Sequence, residues 1–323
     1  MLGRLIALVL TTRNSPTADL YFGHACADWL AEGRVRRLAP TVFASATTRL
    51  VVRHEARAPR DPVARLVYLI DDAVDLEGAD AALSRYWRFK LDHVERAAAD
   101  RLLPRAVAAV ASSDALAEML RARAPGLDVR RLDPFWGLPF PDLSHHADGG
   151  PLRVGFLGSQ VHGPDLAPLA ESLRRFLERR PEAELVVAGG HAPLIGHPRV
   201  RALPPMGWRD WKAALPGLRL HLALYPLAET PFNAARSLNK LTEHALAGAG
   251  GLYPAAWPGA ALAEAAGAGR ALPPDPTAWA AALDALAADR ARLAAMAEAA
   301  VALARRLDDP APQRRLWAEL LAV

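Results

Sequence analysis

The chain has 323 residues, of which 52% are hydrophobic and 23% charged, and a formal net charge of +4. That length suggests two domains of roughly 150 residues each. The charge is spread evenly, 20 basic and 19 acidic residues in 1–150 against 19 and 16 in the remainder, which argues against a nucleic-acid platform in either half. A single cysteine, Cys26, excludes an internal disulfide and any metal site built on several thiolates, and it fits a reducing compartment. No apolar run approaches the ~20 residues that cross a bilayer. Leu5–Leu10 falls short of a signal-peptide core of about 7–15 residues. The expected location is therefore cytoplasmic.

In chain order, Leu5–Leu10 reads as a first buried strand, followed by a polar loop with Asn14 and Ser15 and a helical stretch over 17–32. Leu50–His54 and Leu66–Ile70 read as strands. The second of these runs straight into Asp71-Asp72, and acidic residues at the carboxyl end of a buried strand are placed where open α/β sheets contact ligands. Either aspartate could equally cap the next helix. A long helix is expected over 80–103, its Tyr86-Trp87-Phe89 cluster serving to pack. Val107–Ala111, a Ser112-Ser113-Asp114 cap, a helix to Arg123 and a strand over 129–132 complete the first half. From Pro134 to Pro151 prolines and glycines dissolve the pattern, and His145-His146 there read as a solvated pair in a linker, with no further metal ligands nearby. Arg34, Arg36 and Arg37 fall in an expected loop, either solvated or available to a membrane surface.

The second half restarts with a strand at Leu152–Leu157, a Gly158-Ser159 turn, and a helix over 165–180 preceded by His162. Further strands follow at 185–188, 200–203, 220–227, 251–253 and 270–272, with helices between them and alanine-rich helix to Val323. Strands alternating with helices imply parallel sheets with right-handed crossovers. The expected architecture is α/β, with two Rossmann-like doubly wound domains facing a cleft, 1–145 and 146–323.

The stretch Glu229 to Gly250 stands out. Only three lysines and three asparagines occur in the chain, yet Asn233, Asn239 and Lys240 lie within eight residues. After the turn at Thr230–Asn233, a helix of about three turns would put Arg236, Lys240 and Glu243 on one face. This could be an ordinary solvated Lys-Glu helix. It could also be an anion site, since cations and helix first-turn N–H groups both favour phosphate. A diphosphate could lie between Gly158-Ser159 and Arg236/Lys240, with Glu243 accepting from sugar hydroxyls.

The second half resembles the donor-binding domain of GT-B glycosyltransferases, particularly the retaining family-4-type group. The matching residues are R-V-G-F-L-G-S (153–159), L-V-V-A-G-G (185–190) and P-F-N-A-A-R-S-L-N-K-L-T-E-H-A-L-A-G (231–248). Y-L-I-D-D (68–72) and A-S-S-D-A-L-A-E-M-L (111–120) are similar to acceptor-domain segments, in a reduced acceptor domain. The resemblance implies that Arg236 and Lys240 bind the diphosphate and Glu243 the donor ribose. Ala235 stands where the family keeps a first glutamate, so the segment Glu229–Asn233, with Phe232, would take over sugar contacts, while Ser237 joins Arg236 and Lys240 in the diphosphate clamp. Asp72 and His162 are the candidate catalytic groups; Asn14, Ser15 and Asp71 are acceptor-side candidates.

The resulting expectation is a retaining, metal-independent glycosyltransferase with no cofactor, taking a UDP- or GDP-sugar donor in polysaccharide biosynthesis. Its acceptor would be a glycan, lipid or small molecule, with peripheral contact at the inner membrane face left open. The alternatives are a sugar-nucleotide epimerase of the same fold or a GT-like subunit without turnover.

Overall fold

The computed structural model describes residues 15–55, 65–77, 85–158, 163–188, 194 and 196–323. The expected first strand at Leu5–Leu10 lies outside the described residues, as do Asn14, Ser159 and His162, the Gly189-Gly190 pair and the side chains of Tyr86 and Trp87. Two compact units emerge. Unit 1 comprises Met1–Gly137, Ala235–Ser237 and Asp308–Val323; unit 2 comprises Leu138–Ala234 and Leu238–Leu307.

This division departs from the expected boundary at 145/146, and it assigns the last helix to the first unit. The reason is packing. In the Pro310–Leu321 helix, Trp317 is fully buried, stands edge-on to Phe22 at 5.7 Å, and donates its indole N–H to the Tyr21 carbonyl at 2.6 Å. Gln313 donates to the Leu20 and Asp133 carbonyls, and Arg314 grips Asp28 with two hydrogen bonds of 2.6 and 2.8 Å.

Among the described residues, unit 1 is built on a six-stranded sheet, in the order β1 (Arg36–Ala39), β2 (Val42–Ala44), β3 (Thr48–Val52), β4 (Arg65–Ile70), β5 (Ala108–Ala111) and β6 (Asp128–Arg131). From β3 to β6 the strands are parallel, as the alternation with helices predicts. The β1–β2 and β2–β3 pairs are antiparallel. Only Pro40 and Thr41 separate β1 from β2, and two residues can reverse a chain but cannot make a parallel crossover. Arg36 and Arg37 therefore lie on a strand, not in a loop. Arg37 donates to the Pro40 carbonyl and covers Phe43, while Arg34 pairs with Glu32 and covers Trp29. The 80–103 helix is described from Arg85 to Leu102, its middle turn widened at Leu91–Arg96. There Phe89 is exposed and stacks on His93 instead of entering the core.

Unit 2 is a wholly parallel sheet: β7 (Leu152–Leu157), β8 (Ala183–Ala188), β9 (Val200–Ala202), β10 (Leu222–Leu224), β11 (Gly250–Pro254) and β12 (Gly269–Leu272), in the order β12-β11-β10-β7-β8-β9. The first strand in sequence is thus internal, and the order reverses between β7 and β10. One face is covered by Leu173, Phe176 and Leu177 of the Ala170–Arg179 helix and by Trp279 and Leu283 of the Pro276–Ala287 helix. Leu241, Ala245, Trp257 and Val301 belong to the second buried cluster.

The expected solvated histidine pair is instead buried or half-buried. His145 donates through Nε2 to the Leu220 carbonyl at 2.7 Å, and His146 through Nε2 to the Gly248 carbonyl at 3.0 Å. His221 accepts the Arg153 N–H on Nδ1 and donates through Nε2 to the His145 carbonyl, so its ring is neutral. Burial holds each of them below the ordinary histidine range, and their proximity to one another and to nearby arginines adds to it for His145 and His221, the latter pulled to about 3. Gly248 ends the helix beneath with φ of 89°, and a side chain there would meet the His145 ring at 2.8 Å, so glycine is required twice over.

Candidate functional site

In unit 2 the loops picked out by sequence meet at one place. Ligands of doubly wound sheets bind outside the carboxyl ends of the strands where strand order reverses. Here those ends belong to β7 and β10. Gly158 follows the first directly, and Ala228–Asn233 follows the second. Lys240, in the first turn of the Asn239–Leu246 helix, reaches the Leu157 carbonyl at the tip of β7 and pairs with Glu243. Its ammonium also lies 5.8 Å from the centre of the Tyr225 ring. The cation is thus fixed at the end of β7, next to Gly158.

Glu243 is buried, its side chain only 7% exposed. Its second oxygen accepts the indole N–H of Trp211 at 2.8 Å. A carboxylate has about four lone-pair positions and two are taken here, while an ammonium has three N–H donors and two are taken. Each group retains capacity for a ligand. Trp211 escaped the sequence reading because it lies 32 residues away and no periodicity links it to Glu243.

Asn233 and Phe232 are both buried on the single turn Pro231–Ala234. The Asn233 amide donates to the Ala228 carbonyl at 2.9 Å, and its backbone N–H bonds the Thr230 hydroxyl at 3.1 Å, so this side chain shapes its own loop. Glu229 is exposed on that loop.

The expected three-turn helix carrying Arg236, Lys240 and Glu243 on one face is corrected. Helix stops at Ala234 and resumes at Asn239, with Ala235–Ser237 irregular between them. In a continuous helix the Ala235 carbonyl would accept from the Asn239 N–H. It accepts instead from the Ser113 hydroxyl at 2.6 Å, a residue 122 positions away that also caps the Asp114–Arg123 helix. Lys240 and Glu243 share a face; Arg236 and Ser237 precede the helix and belong with unit 1.

In unit 1 the structure gathers charges at the carboxyl ends of β3 and β4. Arg53 Nη1 lies 3.0 Å from Asp71 and 2.7 Å from Asp72, and Nε lies 3.3 Å from Glu95. Thr17 donates to Asp71 at 2.8 Å, and Ser112 donates to the Asp71 carbonyl at 2.8 Å. Glu95 also meets His54 and Lys90. The aspartate side chains thus form an ion-pair network with Arg53. Burial pushes Asp71 up to about 6 against the pull of Arg53. At Asp72 burial opposes ionisation too, but Arg53 and Arg236 overcome it and hold the carboxyl below its ordinary value. Glu95 is buried yet held well below the carboxylate range by Arg53 and His54. Ser15 caps the helix at Pro16–Ala18, accepting from Ala18 N–H at 3.4 Å. Arg53, Thr17 and Glu95 were missed; the one signal for Arg53 was its place at the end of a buried strand.

No protein-family model and no curated protein matches the sequence. Solved structures do match the fold. WaaG, a glycosyltransferase involved in lipopolysaccharide biosynthesis, superposes with a TM-score of 0.59 at 16% identity, over 80% of this chain and 78% of that one. The fold is GT-B. HepE from Anabaena, solved with UDP-glucose, gives 0.55 at 17% identity over 80% and 72% of the two chains. Sucrose-phosphate synthase from Thermosynechococcus elongatus gives 0.55 at 14%, over 80% and 68%. Within this GT-B chain, no group of three or more His, Cys, Asp or Glu among the described residues could hold a metal ion, and no helix among them is long and apolar enough to cross a membrane.

Proposed function

We propose that this chain is a glycosyltransferase that takes a nucleotide-diphosphate sugar as donor. The observation that carries the reading is the Lys240 ammonium, anchored to the end of β7 beside Gly158 at the reversal of strand order in unit 2. A diphosphate there would meet a fixed cation beside Gly158, an arrangement suited to charge that builds on a departing phosphate. Glu243, oriented by Trp211, would accept from the donor ribose. In unit 1, Asp72 is ionised beside Arg53 and would receive an acceptor hydroxyl.

In the reaction, the acceptor oxygen bonds to the anomeric carbon as the bond from that carbon to the diphosphate oxygen breaks. The electron pair leaves on the nucleoside diphosphate, and the hydroxyl proton passes to that phosphate or to Asp72. Lys240 would balance the leaving charge without a metal, and a retaining outcome is the reading we adopt. The acceptor class, a glycan, lipid or small molecule, and any contact with a membrane face belong to the same proposal. A subunit that binds donor without turnover is the second reading, favoured by Ala235, a buried side chain with no carboxylate.

Calorimetric titration with UDP, GDP, UDP-glucose and GDP-mannose tests donor binding, and release of nucleoside diphosphate with and without an acceptor panel tests transfer. Binding of one nucleotide class with acceptor-stimulated release is expected. No binding of any of the four at millimolar concentration sinks the proposal; binding without release selects the non-catalytic reading.

A further inference from the structure

Two of the eight tryptophans, Trp208 and Trp211, lie on the short helix Trp208–Ala214, none of whose residues is buried. A tryptophan outside the core sits where its ring finds apolar contact and its N–H a polar partner. Trp208 covers the Lys212 ammonium one turn further on, with 5.2 Å from ring centre to nitrogen, a cation–π pair within the helix. Trp211 belongs to neither of the buried clusters that hold unit 2 together, and its ring is half-exposed. Packing alone does not account for it. Its indole N–H is spent on one atom, Oε1 of Glu243, at 2.8 Å.

The other oxygen of Glu243 is taken as well. Oε2 pairs with Lys240, three residues earlier on the same helix, and that ammonium is anchored in turn on the Leu157 carbonyl. The two donors pull on opposite oxygens, so the carboxylate is held at both ends. With the indole N–H gone, the ammonium could draw either oxygen, because a lysine is a point charge whose donors rotate. Little water reaches this side chain to hold it instead. Of about four lone-pair positions, one on each oxygen stays open. Two acceptors side by side suit two hydroxyls on adjacent carbons. A ribose carries such a diol at its 2′ and 3′ positions; a 2′-deoxyribose does not.

Resting on the donor reading above, we infer that Trp211 is a positioning residue that sets Glu243 to receive a vicinal diol, and that it thereby selects ribonucleotide over 2′-deoxyribonucleotide sugars as donors. A deoxy donor leaves one oxygen of a nearly buried carboxylate without its partner, and sites built around a hydroxyl reject analogues that lack it. Deoxythymidine diphosphate sugars therefore fall outside the donor class.

Calorimetric titration of the full chain with UDP, GDP, the 2′-deoxy form of each, and inorganic pyrophosphate tests this. In wild-type protein the ribonucleotide that binds should do so about 10- to 150-fold more tightly than its deoxy form, the worth of one hydrogen bond to a charged group. Trp211→Phe keeps a ring and loses the N–H. Its ribonucleotide affinity should fall to that of the deoxy form, so that the ratio approaches one, while pyrophosphate binds as in wild type. A merely structural role would weaken all three ligands together. Because the helix buries none of its residues, the Phe variant should fold. Glu243→Gln, which removes the carboxylate itself, should lose the same discrimination and gives a second reading of the diol contact. Equal affinity of the two forms in wild-type protein, a ratio that Trp211→Phe leaves unchanged, or a parallel loss of pyrophosphate affinity overturns the inference and leaves the donor reading standing. Binding of neither ribonucleotide overturns both.

Discussion

Replacing Lys240 with alanine tests both the packing and the ligand chemistry of the unit 2 site. The substitution removes the ammonium from Glu243, whose side chain is 7% exposed, and leaves that carboxylate with the Trp211 N–H as its remaining partner. Breaking a buried ion pair on one side costs about 3–5 kcal/mol. Lys240 is itself 16% exposed and one neutral hydrogen bond survives, so the low end, about 3 kcal/mol, is expected. At about 2–4 °C per kcal/mol, the thermal midpoint should fall by about 6–12 °C. In the double variant Lys240→Ala with Glu243→Gln no charge is left unpaired, and the loss should shrink to about 1 kcal/mol. Calorimetry with UDP then isolates the ligand effect, for which loss of a charged hydrogen bond of about 1.5–3 kcal/mol means a roughly 10- to 150-fold weaker Kd. Equal melting of single and double variants would refute the buried pair. Equal UDP affinity in wild-type and both variants would refute the phosphate assignment.

Two further outcomes follow from features outside that site. The neutral histidine cluster makes unit 2 sensitive to acid: with His221 held at about 3, the unfolded chain binds more protons than the folded one between that value and its own near 6.5, so stability is full above 6.5 and falls as pH drops through the window. Urea unfolding at stepped pH should show this slope, and His221→Gln should flatten it; an unchanged slope refutes the assignment. Ser113→Ala removes both the cap on the Asp114–Arg123 helix and the bond to the Ala235 carbonyl, and should cost about 1–2 kcal/mol by chemical denaturation. A loss under about 0.3 kcal/mol would mean that neither bond matters to stability.

The parts of the fold legible in sequence are those where neighbours in the chain are neighbours in space. The apolar runs at 66–70, 152–157 and 185–188 read as buried parallel strands because strands covered on both faces need no polar alternation, and all three are strands. Lys240 and Glu243 were legible because three residues along a helix bring side chains together. What escaped was decided by distant residues. Continuous helix over 234–240 is locally reasonable and fails because a hydroxyl from Ser113 competes for one carbonyl. Arg53 fell within the expected strand Leu50–His54, and its three carboxylate partners lie 18, 19 and 42 positions away. The histidine pair sat in a stretch rich in proline and glycine, and only the fold reveals that backbone carbonyls at Leu220 and Gly248 hold it.

The helix at Pro310–Leu321 fixes the timing of assembly during synthesis. Every residue of unit 2 has been translated once the ribosome passes Leu307, whereas unit 1 lacks Gln313, Arg314 and Trp317 until the segment Pro310–Leu321 has been made. Domains usually mature in the order in which they emerge. Unit 1, by contrast, gains the indole that packs edge-on against Phe22 only after all of unit 2 has been translated.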